Sequence, residues 1–270
     1  MCNHALESGD HVVATLHKQS DIEQLGSKYG QDRLAKIQLD VTNDEHIHHA
    51  FAVAKERFGR VDVVFNNAGS AIVGEVEGVP EEDARKLMDV KFWGATAVSK
   101  AAVRFFREEN PPHAGGLLLN ISSELGLRYL PTMAYYAAAK HALEGLTESL
   151  AAELDPSWNI KICLVTPGGF RTNFMPKAKN TPVPSAYAEV EVPKKVREYI
   201  TNMFDSRRLV RLGDVNKAAA AIYEVSKLEH PPLRVFLGGD GVQRIKEQHK
   251  KITAEMEASQ KWAECLLEDV

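Results

Sequence analysis

The stretch NISSELGLRYLPTMAYYAAAKHALEG, residues 120–145, decides the reading of this chain, because it joins the end of a strand pattern to the start of a helix. The run that leads into it, GLLLNIS at 116–122, is continuously apolar rather than alternating, which suits a strand buried on both faces of a parallel sheet. Helical spacing then runs from about Met133 to Leu154. Tyr136 and Lys140 are four apart, one helical turn, so their side chains share a face. Ser123 lies thirteen residues before Tyr136, at the carboxyl end of the strand, where open α/β sheets place their ligands. A hydroxyl, a phenol and an ammonium converge there.

The same alternation extends in both directions. Apolar runs at 11–16 (HVVATL), 36–41 (KIQLDV), 61–68 (VDVVFNNA), 160–168 (IKICLVTPG) and 234–239 (RVFLGG) are separated by helical patterns, which predicts a doubly wound α/β sheet with helices on both faces. In the pattern at 43–59, Ile47, Phe51, Ala54 and Phe58 recur at threes and fours, with Asn43 as N-cap and Gly59 as the stop. A longer helix is expected from about Pro80 to Glu109. No repeat or low-complexity tract interrupts the rhythm, so residues 1–270 read as one domain. Two segments stand apart. Residues 173–208 hold four prolines and mixed polarity and resemble a lid over a site. The tail at 241–270 is charged and helical in spacing, with Ile245, Ile252, Met256 and Trp262 as anchors.

Composition narrows the function classes. A hydrophobic fraction of 44% over 270 residues supports a sizeable core, and a formal charge of −4 gives no basic footprint for nucleic acid. Cys2, Cys163 and Cys265 are scattered and odd in number, which suits a reducing compartment rather than a disulfide framework or a CxxC metal site. The first twenty residues lack the apolar run of a signal peptide, and no stretch reaches membrane-spanning length, so a cytoplasmic protein is expected. His46, His48 and His49 do not share one helical face, so no metal site is assigned to them.

Three further motifs sit at strand ends: DV at 40–41, NNAG at 66–69 and PGGFRT at 167–172. With Ser123, Tyr136 and Lys140 they make the chain resemble the short-chain dehydrogenase/reductase family from Leu6 to Asp240. That resemblance implies a Rossmann-type fold, a nicotinamide cofactor, and interconversion of an alcohol with a ketone or aldehyde in a small-molecule substrate. It implies Tyr136 as acid/base, Lys140 as the group that depresses the phenol pKa and holds the nicotinamide ribose, and Ser123 as donor to the substrate carbonyl. Asp40, Asn67 and the segment from Pro167 to Thr172, with Phe170 and Thr172, would line the cofactor. Magnitudes agree: moving a phenol from ~10 to neutrality needs about 4 kcal/mol, which one charge at ~4 Å supplies at an effective dielectric of ~20. The family also implies a homodimer or homotetramer, and WGATAVSKAAVRFF at 93–106 carries small apolar residues on more than one face.

Cofactor choice falls on the residue after the strand HVVATL, where an acid favours NAD and a base favours NADP. His17 and Lys18 stand there, with no acid before Asp21, so NADP(H) is expected. Phe170, Phe174 and Tyr187 suggest an apolar or aromatic ligand.

Two features depart from the family. Lys91, in MDVKFWGAT at 88–96, stands where the family has an asparagine. It is expected to swing to solvent or to a carboxylate; the competing placement brings it to the cofactor or to Tyr136. The second departure is the glycine fingerprint, which lies ~20 residues before the ribose-recognising position and cradles the pyrophosphate at a helix N-terminus. Counting back from His17 or Lys18 puts it at or before Met1, and neither Gly-x-Gly-x-x-Gly nor Gly-x-x-x-Gly-x-Gly follows another strand. The sequence is therefore expected to lack the first strand and its glycine-rich loop. A cofactor-deficient binding protein on the same scaffold is the alternative that follows from this.

Overall fold

Apolar continuity becomes a layered parallel sheet in the computed structural model, which describes residues 1–17, 28–203, 212–264 and 266. A short helix α1 (Cys2–Glu7) ends at Ser8 and Gly9, the latter at φ 96, a left-handed turn that glycine adopts without strain. Strand β1 (Val12–Leu16) pairs in parallel with β2 (Leu34–Gln38), from Val12 opposite Leu34 to Leu16 opposite Gln38. The second strand is displaced from the expected run at 36–41. Asp40 explains why it stops early: its Oδ1 accepts from the amide and hydroxyl of Thr42 and turns the chain out of the ladder.

Helix α2 (Asp44–Phe58) is bounded as its sequence requires. Asn43 accepts from the amides of Glu45 and His46, and Gly59 closes the other end at φ 75. Strand β3 (Val63–Asn66) follows, then a two-residue strand β4 (Ile72–Val73). The helix expected over 80–109 is three pieces: α3 (Glu81–Met88), a π-helical segment Asp89–Gly94, and α4 (Ala95–Glu108). The widened turn carries Lys91, and it ends at Gly94, where a Cβ would lie 2.6 Å from Val41 Cγ2. Glycine there allows the helix to approach the end of the second strand.

Strand β5 (Gly116–Ile121) leads to helix α5 (Ala134–Glu153) and strand β6 (Ile160–Pro167). Beyond it come the two-residue β7 (Lys179–Asn180), α6 (Glu191–Asn202), α7 (Val215–Ser226), β8 (Arg234–Leu237) and the long α8 (Gly239–Glu264). The main ladder runs β3-β5-β6-β8, all parallel, and the small pair β4–β7 was not visible in the sequence. Leu118, Leu119, Cys163, Leu164 and Val165 are wholly buried between the helical layers.

Among the described residues, no strand pairs with the free edge of β1 or of β3, so the parallel sheet is in two pieces. Val63 on β3 is 37% exposed, unusual for an apolar residue in the middle of such a fold. A buried polar network ties the inner strand ends to the helices. Asn66 Nδ2 donates to the Ala95 carbonyl and to Asn120 Oδ1, both at 2.9 Å, and Asn120 Nδ2 donates to Thr147 Oγ1 at 3.0 Å. Each member is satisfied, which stiffens the end of the sheet where the motifs gather.

The tail corrects its own expectation. Ile245 is buried, but Ile252, Met256 and Trp262 are exposed. No helix among the described residues is long and apolar enough to cross a membrane.

Candidate active site

The carboxyl end of β5 places Ser123 in extended backbone, where its hydroxyl accepts from the Leu125 amide at 3.2 Å and caps a tight turn at Glu124–Gly126. Opposite it, the first turns of α5 present Tyr136, Lys140 and Glu144 on one face. All four side chains are buried. The Ser123 hydroxyl favours the ionised form of the Tyr136 phenol, and Lys140 Nζ donates to the Ile121 carbonyl. The structure thus brings together the three groups singled out in the sequence.

Their electrostatics differ from expectation. Burial pushes the Tyr136 phenol up to about 12; the Ser123 hydrogen bond opposes this and the Glu124 charge adds to it. Burial also pushes Lys140 down to about 8, against the Glu144 carboxylate, which favours the charged form. The Lys140 ammonium is engaged by the Ile121 carbonyl, and desolvation of the phenol outweighs the rest.

Two supporting carboxylates escaped the sequence reading. Glu144 Oε2 accepts from Arg234 Nη2 at 2.6 Å and Nε at 3.1 Å, and its Oε1 accepts from Thr166 at 3.3 Å. Glu124 accepts from Arg128 and, through both oxygens, from Arg244 of α8, which also reaches Asp240. The available signal was spacing: Glu144 is four residues beyond Lys140, and Glu124 directly follows Ser123. Their arginine partners lie 90 and 120 residues away, which no local pattern reveals.

Lys91 does not swing to solvent or to a carboxylate. It is 4% exposed, with Nζ 5.3 Å from the Tyr136 ring centre and 4.8 Å from that of Phe174. The wide π turn aims it inward, and Gly69 of NNAG makes the room: a Cβ there would collide with Nζ. Burial, with the like charge of Lys140, holds its pKa well below the usual lysine range.

The remaining motif residues sit at neighbouring strand ends. Asp40, held below the usual carboxylate range by its hydrogen bonds to Thr42, lies 3.9 Å from His17 at the end of β1. Lys18 lies outside the described residues. Asn67 is exposed at the end of β3. Phe170 pairs its backbone with Gly213 and lays its ring on that glycine. Thr172 lines a groove of about 410 Å³ with Arg171, Asn173, Pro176 and Val215. Exposed Asn67, that groove and the buried Ser123–Tyr136–Lys140 set fit the nicotinamide end of a dinucleotide; among the described residues no glycine-rich turn faces its pyrophosphate.

A parallel α/β sheet with a serine, tyrosine and lysine at the carboxyl ends of its strands defines a dinucleotide-dependent class of enzyme. Residues 1–182 match the short chain dehydrogenase family, and the chain belongs to it. It is 36% identical over 254 residues to an uncharacterized oxidoreductase of Schizosaccharomyces pombe, covering 94% of this chain and 82% of the relative. It is 33% identical to an oxidoreductase of Penicillium decumbens, over 89% of this chain and 79% of the other. The crystal structure of a short-chain dehydrogenase from Streptomyces avermitilis superposes with a TM-score of 0.83 at 34% identity, covering 97% of this chain and 92% of that one. Members of the family bind NAD or NADP and act on small molecules.

Proposed function

We propose that this chain interconverts an alcohol and a ketone or aldehyde, using NADP(H). The observation that carries the reading is the buried set at the end of β5, Ser123 beside the Tyr136 phenol with Lys140 one turn further along α5. When bound, the cofactor supplies or accepts the hydride. The chain's own residues do the rest: Ser123 and Tyr136 donate to the substrate oxygen, and the phenol gives its proton to the developing alkoxide. Lys140 orients the cofactor ribose. An intact set of this kind supports turnover over a non-catalytic scaffold.

A phenol pushed up to about 12 is fully protonated at neutral pH, which favours reduction there. Oxidation of the alcohol needs the phenolate and rises with pH through the alkaline range. The segment from Asn173 acts as the lid, with Phe174 and Tyr187 toward an apolar substrate. Exposed Trp93 and the small residues that follow it support association of copies through α4 and α5. Free thiols at Cys2 and Cys163 suit a cytoplasmic, reducing setting.

NADP(H) preference rests on Lys18 and His17, with no acid beside them. Lys18→Asp is expected to weaken NADPH binding, read by fluorescence titration, by about tenfold more than NADH binding, the size of one charge-assisted contact. Equal effects on both would remove the assignment. A strand between the free edges of β1 and β3, continuing into a glycine-rich turn, would complete the pyrophosphate subsite; the two unpaired edges support that reading. NADPH titration of the chain with and without such a segment added upstream, followed by a carbonyl screen at 340 nm absorbance, a wavelength of order hundreds of nanometres set by the dihydronicotinamide chromophore, tests the whole proposal. Absence of NADPH binding and turnover in both forms would sink it.

A further inference from the structure

Lys91 is a buried amine without a counter-charge. Three donors on a lysine ammonium ordinarily find acceptors when taken out of water, and a buried charge is ordinarily paired. Among the described residues Lys91 has neither a hydrogen bond nor an ion pair; its neighbours are the rings of Tyr136 and Phe174 and the backbone of Gly69. The titratable groups facing it are both on α5: the Tyr136 phenol and Lys140, whose charge opposes its own. On its own segment, Asp89 is exposed.

Each buried carboxylate among the described residues already has an arginine partner, Glu75 through Oε1 alone. Glu144 is held by Arg234, Glu124 by Arg128 and Arg244, and Glu75 by Arg197. Asp40 is bonded to Thr42. No carboxylate among the described residues is left to supply the negative group that Lys91 lacks, which points to a bound molecule as its source. Its position fixes which molecule brings it. Nζ lies between the face of the proton-donating phenol and Phe174, beside an apolar cluster that includes Leu87, Met88 and Met175. Phe174 and Met175 belong to the segment read as the lid, so the molecule that reaches Nζ is the one that segment covers.

We propose that Lys91 receives a carboxylate of the substrate, so that the compound transformed at Tyr136 is an oxo acid or hydroxy acid, with its carboxylate within a few carbons of the reacting carbon, on an apolar body. The inference rests on the oxidoreductase reading for the reacting carbon, and on the geometry alone for the anion site. The family's asparagine at this place carries no charge, so the site is a property of this chain.

Benzoate and its neutral counterpart benzamide probe the site without turnover. Calorimetric titration of each into the full chain, its Lys91→Met variant and its Lys91→Asn variant, with folding checked by circular dichroism, is the test. Benzoate is expected to bind the parent chain more tightly than benzamide does. Its affinity is expected to fall about tenfold or more in either variant, the size of one hydrogen bond to a charged group, while benzamide is unaffected. Equal binding of benzoate and benzamide by the parent chain, binding of neither, or unchanged benzoate affinity in a folded variant would overturn the proposal. If neither variant folds, the parent chain's choice between the two probes decides. A parallel NADPH titration separates the two readings: Lys91-dependent benzoate binding with no NADPH binding or turnover, with or without the added upstream segment, sinks the oxidoreductase reading alone, and the reverse result sinks the carboxylate site alone.

Discussion

Tyr136→Phe is expected to reduce kcat for carbonyl reduction by about 10²–10⁴-fold, the range that a positioned general acid contributes. The substitution removes one hydroxyl from a ring that stays buried against Phe174, at 5.6 Å between ring centres. Only that group is lost, so the melting temperature should change by little. Cofactor affinity should also hold, because the proposed ribose contact belongs to Lys140. The combination of steady NADPH binding, steady stability and collapsed turnover is what a proton donor gives and a packing residue does not. A loss of activity below tenfold would place the acid elsewhere. The pH profile supplies a second check. Lys140, pushed down to about 8, is charged below that value and neutral above it, so any support it gives to cofactor binding fades as pH rises through about 8.

Glu144→Ala should produce the largest loss of stability among changes near the site, about 3 kcal/mol, at the lower end of what breaking a buried ion pair costs. Arg234 would keep only Glu148, a half-exposed partner, and Thr166 would lose its acceptor. Urea unfolding of the purified chain measures this, and a change under ~1 kcal/mol, the worth of an exposed pair, would mean that the Glu144–Arg234 contact behaves like a surface salt bridge. The same substitution reaches the chemistry. Glu144 is the charge that favours the ammonium form of Lys140, so its removal should move the Lys140 titration further below about 8. Activity in the folded variant should then decline at a lower pH than in the parent chain. Glu144→Gln keeps the volume and one acceptor, so it should lose less stability while giving the same direction of pH change.

Much of the fold was written in local pattern. Continuous apolar runs gave the buried parallel strands, and Asn43 and Gly59 bounded their helix because capping is a matter of adjacent backbone groups. Ser123, Tyr136 and Lys140 were legible for the same reason, since one helical turn and one strand end fix their relation. What stayed hidden depends on distance or on environment. The π segment at Asp89–Gly94 keeps ordinary helical spacing on either side, so the inward turn of Lys91 has no periodic signature. The Tyr136 pKa is governed by how deeply the ring is buried, and the arginine partners of Glu144 and Glu124 come from β8 and α8. The tail shows the opposite failure: Ile252, Met256 and Trp262 have helical spacing but stand exposed.

The break between β1 and β3 also bears on how the molecule opens. With no ladder joining them, the β1–β2 pair is bound to the rest through its flanks: Asp10 accepts from Tyr223 at 2.8 Å and from Lys227, and α2 lies alongside. Amide hydrogen exchange should therefore resolve two cooperative units, one containing β1 and β2 and the other the β3-β5-β6-β8 slab. The catalytic residues all belong to the second. Excursions that release the first unit would carry off the edge that holds His17 and Asp40, proposed to line the cofactor, while leaving Ser123, Tyr136 and Lys140 assembled, so on that proposal loss of cofactor would precede loss of the acid–base site as denaturant rises.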